Sequence, residues 1–252
     1  MIPWKEVAIV GGYGRMGRFF ARVLSRDGFH VTICGRRLER ARRVARRLGV
    51  SYGEVDSSVR GADLVIVSVP IDATYDVCMS VAKEMERGST IVEIASVKTG
   101  IADRLRSDLP RHVRFVSAHP LFGPTVRGLR GRNVVIIKGG DEEATRRLRL
   151  YLESKGASVS LLTVDEHDRA MATVQVLHHY ALLSFSYVLQ NELRRRPKLA
   201  DLLTESLRLT LRSVKRVLDN LDAVLEIQER NPYAGEARRE FVKAIAGSLE
   251  QG

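Results

Sequence analysis

Glu6-Val7-Ala8-Ile9-Val10-Gly11-Gly12-Tyr13-Gly14-Arg15-Met16-Gly17, running into Arg18-Phe19-Phe20-Ala21-Arg22-Val23-Leu24, decides the fold. A short, largely apolar run closed by glycines reads as a buried strand. Beyond Gly17 the apolar residues recur at helical spacing and stop at Asp27-Gly28, and a second strand pattern, residues 30–34, begins at once. Strand, glycine-rich turn, helix and strand make a βαβ unit, a connection that sets its two strands parallel. Gly12-x-Gly14-x-x-Gly17 has the spacing of a dinucleotide cradle. The first glycine permits a tight turn, the second lets backbone approach a pyrophosphate, and the third lets helix pack on strand. The helix N-terminus then faces the phosphates.

The same alternation continues outward. A helix is expected over residues 38–48, an almost wholly apolar strand over 64–69 ending at Pro70, a helix over 73–86 and a strand over 90–94. Further strand patterns at 113–116, 134–138 and 158–162 extend the sheet. Strands alternating with helices predict an α/β, Rossmann-type doubly wound parallel sheet. After Val164 no strand pattern remains. Residues 165–195 read as one long helix, Pro197 interrupts it, 199–225 read as more helix, and the remainder is mostly helical. The expected organisation is a dinucleotide-binding domain over 1–163 and an all-α substrate and dimerisation domain over 164–252. The apolar length of residues 181–189 exceeds what a small helical domain buries alone, which predicts a homodimer.

The 252 residues, 44% hydrophobic, can build a sizeable core. No apolar run is long enough to span a bilayer and no cleavable leader is seen, so neither membrane nor export is expected. Cys34 and Cys78 fit no metal or disulfide spacing, so reduced thiols in the cytoplasm are expected, and no metal. The formal net charge is +11. Its arginines are scattered along amphipathic helices, as in Arg42-Arg43, Arg46-Arg47 and Arg146-Arg147, without a nucleic-acid-binding signature. They are read as solvated helix faces whose field collects anionic ligands, not as a nucleic-acid site.

The end of the second strand bears on which dinucleotide binds. An acid there would accept from the ribose 2′-hydroxyl. This chain has Cys34-Gly35-Arg36-Arg37 instead. A carboxylate would repel a 2′-phosphate, whereas guanidinium groups grip it, so NADP is expected in preference to NAD. The expected cofactor contacts are Gly12, Tyr13, Gly14, Arg15, Met16, Gly17, Arg36, Arg37, Val69 and Pro70.

The chemistry is expected at Ser117-Ala118-His119-Pro120-Leu121-Phe122-Gly123-Pro124, where His119 follows a strand on a stiff loop. Ligands of open parallel sheets bind outside the carboxyl ends of the strands. Three more segments join it: Glu93-Ile94-Ala95-Ser96-Val97-Lys98, Glu166-His167-Asp168-Arg169-Ala170-Met171, and Gln175-Val176-Leu177-His178-His179. Together they resemble the prephenate dehydrogenase family, and most closely the dehydrogenase part of its bifunctional mutase–dehydrogenases. The likeness runs from the glycine-rich loop to the last helices. With no mutase helix before it and no regulatory domain after it, a single-function core is expected.

The resemblance implies oxidative decarboxylation of prephenate to 4-hydroxyphenylpyruvate in tyrosine biosynthesis. It assigns His119 as the catalytic base and Ser96 as a hydroxyl that bonds both that base and the substrate region. Lys98 is a candidate electrostatic partner of the substrate. Helical spacing puts Asp168, Met171, Gln175 and His179 on one stripe, with His178 about 100° away, so Gln175 and His179 are assigned to substrate and His178 to structure. Arg208, Arg212 and Arg216 form another stripe, and Arg216 is the match to the family's carboxylate-binding arginine. Thr125 stands where many relatives carry an acid. With no acid in 124–133, prephenate is favoured over arogenate, whose ammonium would profit from a carboxylate. The competing readings are arogenate dehydrogenase, another small NADP oxidoreductase with a helical dimer domain, and a catalytically idle dinucleotide sensor or nucleic-acid binder.

Overall fold

The computed structural model describes residues 4–249. The strands are β1 (Glu6–Val10), β2 (His30–Cys34), β3 (Ser51–Gly53), β4 (Leu64–Val67), β5 (Thr90–Glu93), β6 (Arg114–Pro120), β7 (Asn133–Ile137) and β8 (Ser158–Leu162). Between them lie helices α1 (Arg15–Arg26), α2 (Leu38–Leu48), α3 (Val55–Arg60), α4 (Ile71–Ala82), α5 (Ala102–Asp108) and α6 (Glu142–Ser154). Then follow α7 (Val164–Met171), α8 (His178–Arg195), α9 (Glu205–Leu218), α10 (Leu221–Arg230) and α11 (Ala234–Leu249).

The strands form one eight-stranded sheet in the order β3-β2-β1-β4-β5-β6-β7-β8. Strands β1 to β6 run parallel. β7 is antiparallel to β6, and β8 is parallel to β7. The expected parallel sheet therefore closes on two reversed strands. The cause is the connection: residues 121–132 link β6 to β7 without a helix, and a parallel return needs a helical crossover. The three-residue edge strand β3 and the short helices α3 and α5 were not legible as elements.

The core explains why the first unit forms where it does. Ile9, Ile33 and Leu64 on neighbouring strands pack with Phe19, Phe20, Val23 and Leu24 of α1, all buried. Gly17 makes this packing possible: a side chain there would place its Cβ 2.6 Å from the Cα of Gly12. α6 is capped by Asp141, whose side chain accepts from the Ala144 amide at 2.8 Å.

β6 changes partner along its length. Residues 114–117 pair with β5, and residues 118–120 pair with β7. His119 therefore lies inside a strand, opposite Val135, rather than on the loop that the sequence suggested. Pro120 is tolerated because β5 has ended and no longer asks that edge for an amide donor.

The chain divides into two compact units between His167 and Asp168. The expected boundary at 163/164 falls four residues early, because His167 packs on His119 and keeps the first turn of α7 with the sheet. The second unit is all helical. The single helix expected over 165–195 is interrupted by a π-helical stretch, Ala172–Leu177. Gln228 Nε2 of α10 donates to the carbonyl of Val176 within it at 2.7 Å, and Asn231 Nδ2 donates to the carbonyl of Asp168 at 2.8 Å. Arg238 in turn holds Gln228, donating to its backbone oxygen at 2.9 Å and to its Oε1 at 3.1 Å.

Candidate active site

The glycine-rich turn sits at the switch point of the sheet, between β1 with β2 on one side and β4 on the other. α1 opens at Gly14 with no side-chain cap and no acidic residue in its first turn, so its amides suit an anion. Arg18 Nε donates to the carbonyl of Tyr13 at 3.0 Å and fixes the turn. Val69 lies beside the turn, since a Cβ on Gly11 would come 3.1 Å from Val69 Cγ1, and Pro70 precedes α4. Gly35 has φ +152, and a side chain there would put its Cβ 2.8 Å from Cε1 of the Tyr13 ring. The Arg40 guanidinium lies 5.2 Å from the centroid of that ring. Arg36 and Arg37 are exposed, and among the described residues they form no ion pair. These residues fit a dinucleotide: a helix N-terminus for the pyrophosphate, with cationic groups at the end of β2. Arg15 and Met16 lie in the first turn of α1, the former exposed. Arg40 was missed by the sequence reading, although its place three residues beyond Arg37 puts it within one turn of the same end of α2.

Past β5 lies a buried charge cluster. Glu93 ends the strand and Lys98 returns to it, Nζ to Oε1 at 2.7 Å, both side chains fully buried. Lys98 Nζ also donates to the carbonyl of Ala118 at 2.7 Å, and the amide of Ala95 donates to Glu93 Oε2 at 2.7 Å. Ser117 Oγ donates to Glu93 Oε1 as well. Lys98, expected from sequence as an electrostatic partner of the substrate, thus also holds the backbone beside His119. Glu93, five residues earlier, is the counter-ion that makes this possible. Cys78 is buried nearby, and burial first, then the charge of Glu93, pushes its thiol up.

His119 is buried next to this cluster. Its Nδ1 shares a hydrogen bond with Nε2 of the buried His167 at 2.9 Å, the rings meeting edge to face. Burial first, then His167 and Lys98, push the His119 pKa well below the ordinary imidazole value, so it is neutral at pH 7. Ser96 is half-buried two residues before Lys98. The loop after Pro120 is tied to α1 by Phe122 stacking edge-on against Phe19 at 5.1 Å and by Arg22 Nη2 donating to the carbonyl of Val126 at 3.0 Å. Thr125 is exposed on that loop.

In the helical unit, Gln175 lies in the π-helical stretch and His179 in the first turn of α8. The wider π turn changes the angular spacing, so the α-helical stripe through Asp168, Met171, Gln175 and His179 does not hold as drawn. His178 is exposed and His179 half-buried. Burial and the neighbouring His178 lower the His179 pKa to about 4, and its buried Nδ1 has no hydrogen-bond partner among the described residues. Arg216 is exposed on α9 and, among the described residues, forms no ion pair. Arg208 and Arg212 are likewise exposed.

The sequence profile described as "Prephenate dehydrogenase, nucleotide-binding domain" matches residues 20–161. The chain belongs to the prephenate dehydrogenase family. A relative from Methanocaldococcus jannaschii, named "Probable arogenate/prephenate dehydrogenase", is 30% identical over 94% of this chain and 54% of its own length. A 4-amino-4-deoxyprephenate dehydrogenase from Streptomyces pristinaespiralis is 32% identical over 70% of this chain and 60% of its own length. The chain thus spans less than two thirds of the length of these two relatives. A solved prephenate dehydrogenase from A. aeolicus, in complex with hydroxyphenyl propionate and NAD+, shares the fold. Its TM-score is 0.77 at 20% identity, covering 98% of this chain and 90% of that one.

Two outcomes follow from the buried groups of this family member. Glu93→Gln leaves the Lys98 ammonium buried without its counter-ion and is expected to cost about 3–5 kcal/mol of stability. Glu93→Leu combined with Lys98→Met is expected to cost less than the single change. Denaturant unfolding measures both, and a double variant less stable than the single one counts against this account.

His119 and His179 are neutral when folded and bind protons below about pH 6.5 when unfolded. The unfolded state then holds more protons, so stability falls as pH drops from about 6.5 to 5, by up to ~1.4 kcal/mol per pH unit for each histidine. Melting temperatures across that window should fall for the natural chain and fall less steeply for His119→Asn with His179→Asn. Equal slopes would contradict the assignment.

Proposed function

We propose that the chain is a prephenate dehydrogenase of tyrosine biosynthesis, producing 4-hydroxyphenylpyruvate and CO2, with NADP preferred over NAD. The observation that carries this reading is His119, a neutral imidazole buried at the carboxyl end of the sheet. A bound nicotinamide dinucleotide supplies the hydride acceptor. His119 accepts the proton of the ring hydroxyl as hydride leaves the carbon that bears it. The ring carboxylate departs as CO2, its bonding electron pair enters the ring to complete the aromatic system, and the proton returns to the phenolic oxygen. Arg216 is assigned to a substrate carboxylate, for which its planar fork is suited. His179, Gln175 and Thr125 are assigned to further substrate contacts, and Ser96 to the substrate hydroxyl region.

Arg36 and Arg37 support the NADP preference, since among the described residues no carboxylate pairs with them. Absorbance should grow when prephenate is added with NADP. His119→Asn should cut turnover by roughly 10²–10⁴ while leaving cofactor affinity intact, and Arg36→Ala with Arg37→Ala should weaken NADP far more than NAD. No turnover of prephenate with either cofactor overturns the activity. Turnover of arogenate alone moves the reading to that substrate, and equal losses for both cofactors return the arginines to ordinary surface charge.

We propose a homodimer built on the helical unit and located in the cytoplasm. The apolar residues exposed there support it: Tyr187 at 72%, Val188 at 61%, Leu202 at 72%, Leu209 at 53% and Leu225 at 51% exposure are more than a solvated face tolerates. The reduced, buried Cys34 and Cys78 are compatible with a reducing compartment. Among the described residues no helix is long and apolar enough to cross a membrane. Sedimentation at micromolar concentration should give twice the chain mass, and a stable monomer would refute the dimer.

A further inference from the structure

We infer that His167 is a positioning residue: it accepts a hydrogen bond from Nδ1 of His119 and so fixes the tautomer whose lone pair sits on Nε2. The inference rests on the reading of His119 as the base of the proposed reaction. The geometry sets the choice. At 2.9 Å, one of the two facing nitrogens carries a proton and the other a lone pair. Two protons would oppose each other, and two lone pairs would repel. If His167 donated, His119 would carry its proton on Nε2, and a ring nitrogen that already bears a proton cannot take another. Only donation from His119 to His167 leaves the second nitrogen basic.

The surroundings hold His167 in place for this task. Thr163 and Glu166 form a reciprocal capping box at the start of α7. The Thr163 amide donates to Glu166 Oε2 at 2.7 Å, and the Glu166 amide donates to Thr163 Oγ1 at 3.2 Å. The His167 amide then donates to the carbonyl of Thr163 at 3.0 Å, beginning the helix one turn below the imidazole. Lys138 reaches Glu166 at 3.6 Å and ties this cap to the end of β7. The glutamate of the Glu166-His167-Asp168 run thus sets the helix start, and the histidine meets the base.

The groups that lower the proton affinity of His119 beyond burial are His167 from α7 and Lys98 from the segment after β5, with Glu93 paired to Lys98.

Nitrogen-15 NMR of the histidine rings, with the His119 signals assigned from His119→Asn, reads the tautomer directly at pH 7. A protonated Nδ1 and a bare Nε2 on His119 is the expected result, and the reverse tautomer overturns the proposal whatever the variants do. Kinetics give the second readout. His167→Gln keeps an acceptor and should retain turnover within a few fold. His167→Met should lose roughly 10–100-fold in kcat, the usual scale for removing an orienting partner, with KM little changed. His167→Glu places a carboxylate on Nδ1 and should move the acid limb of kcat/KM upward by about one pH unit or more. Equal losses in the Gln and Met variants, with the acid limb unmoved by Glu, also count against the proposal. Absence of prephenate turnover in the natural chain would sink the functional reading alone, because the tautomer is measured without substrate.

Discussion

The buried Glu93–Lys98 pair is the constraint on which the sheet around His119 depends. Two opposite charges buried together are tolerable only if their remaining donors and acceptors find partners. Here the partners are backbone and side-chain groups of the adjoining segments: the Ala95 amide, the Ala118 carbonyl and the Ser117 hydroxyl. Satisfying the charges therefore draws the segment after β5 back against β6. β6 then gives up β5 as a partner at Ser117 and takes β7 from Ala118 onward. His119 is the next residue, so the electrostatics of the pair and the placement of the imidazole are one arrangement.

Much of the nucleotide unit was legible because its signals are local. Glycine spacing, an apolar strand before it and a helix after it depend on neighbours within about thirty residues, and the β1–α1–β2 unit appears where the pattern put it. The reversal of β7 and β8 was not legible, since the strand patterns of residues 134–138 and 158–162 carry no direction. β3 is three residues long and leaves no alternation to read. In the helical unit the periodicity gave helix correctly but assumed one pitch throughout, and the π-helical stretch of six residues breaks that assumption.

The candidate site divides in the same way. His119 was legible as a residue type in a distinctive run, yet its place within a strand was not, because the strand is completed by a partner from later in the chain. Lys98 was legible as a charge but not as a buried one. Its counter-ion is five residues earlier, and nothing in that spacing says the two will meet in a core. The role of His167 is not legible in the sequence, since its partner is 48 positions away. Pairings over such distances are set by topology, and single-sequence periodicity does not carry topology.

Gly35 has a consequence for how this family member can change. The end of β2 is where a nucleotide-reading acid would ordinarily be added, and Tyr13 already occupies the space that any side chain at position 35 would enter. An acid at 35 must also adopt φ +152, a conformation that side-chain-bearing residues rarely accept. Each obstacle is removed only by a change somewhere else: a smaller residue at 13, or a rebuilt turn into α2. The two positions are therefore epistatic. A glycine with no group of its own to offer a ligand limits the routes by which descendants of this chain could exchange one nucleotide for another.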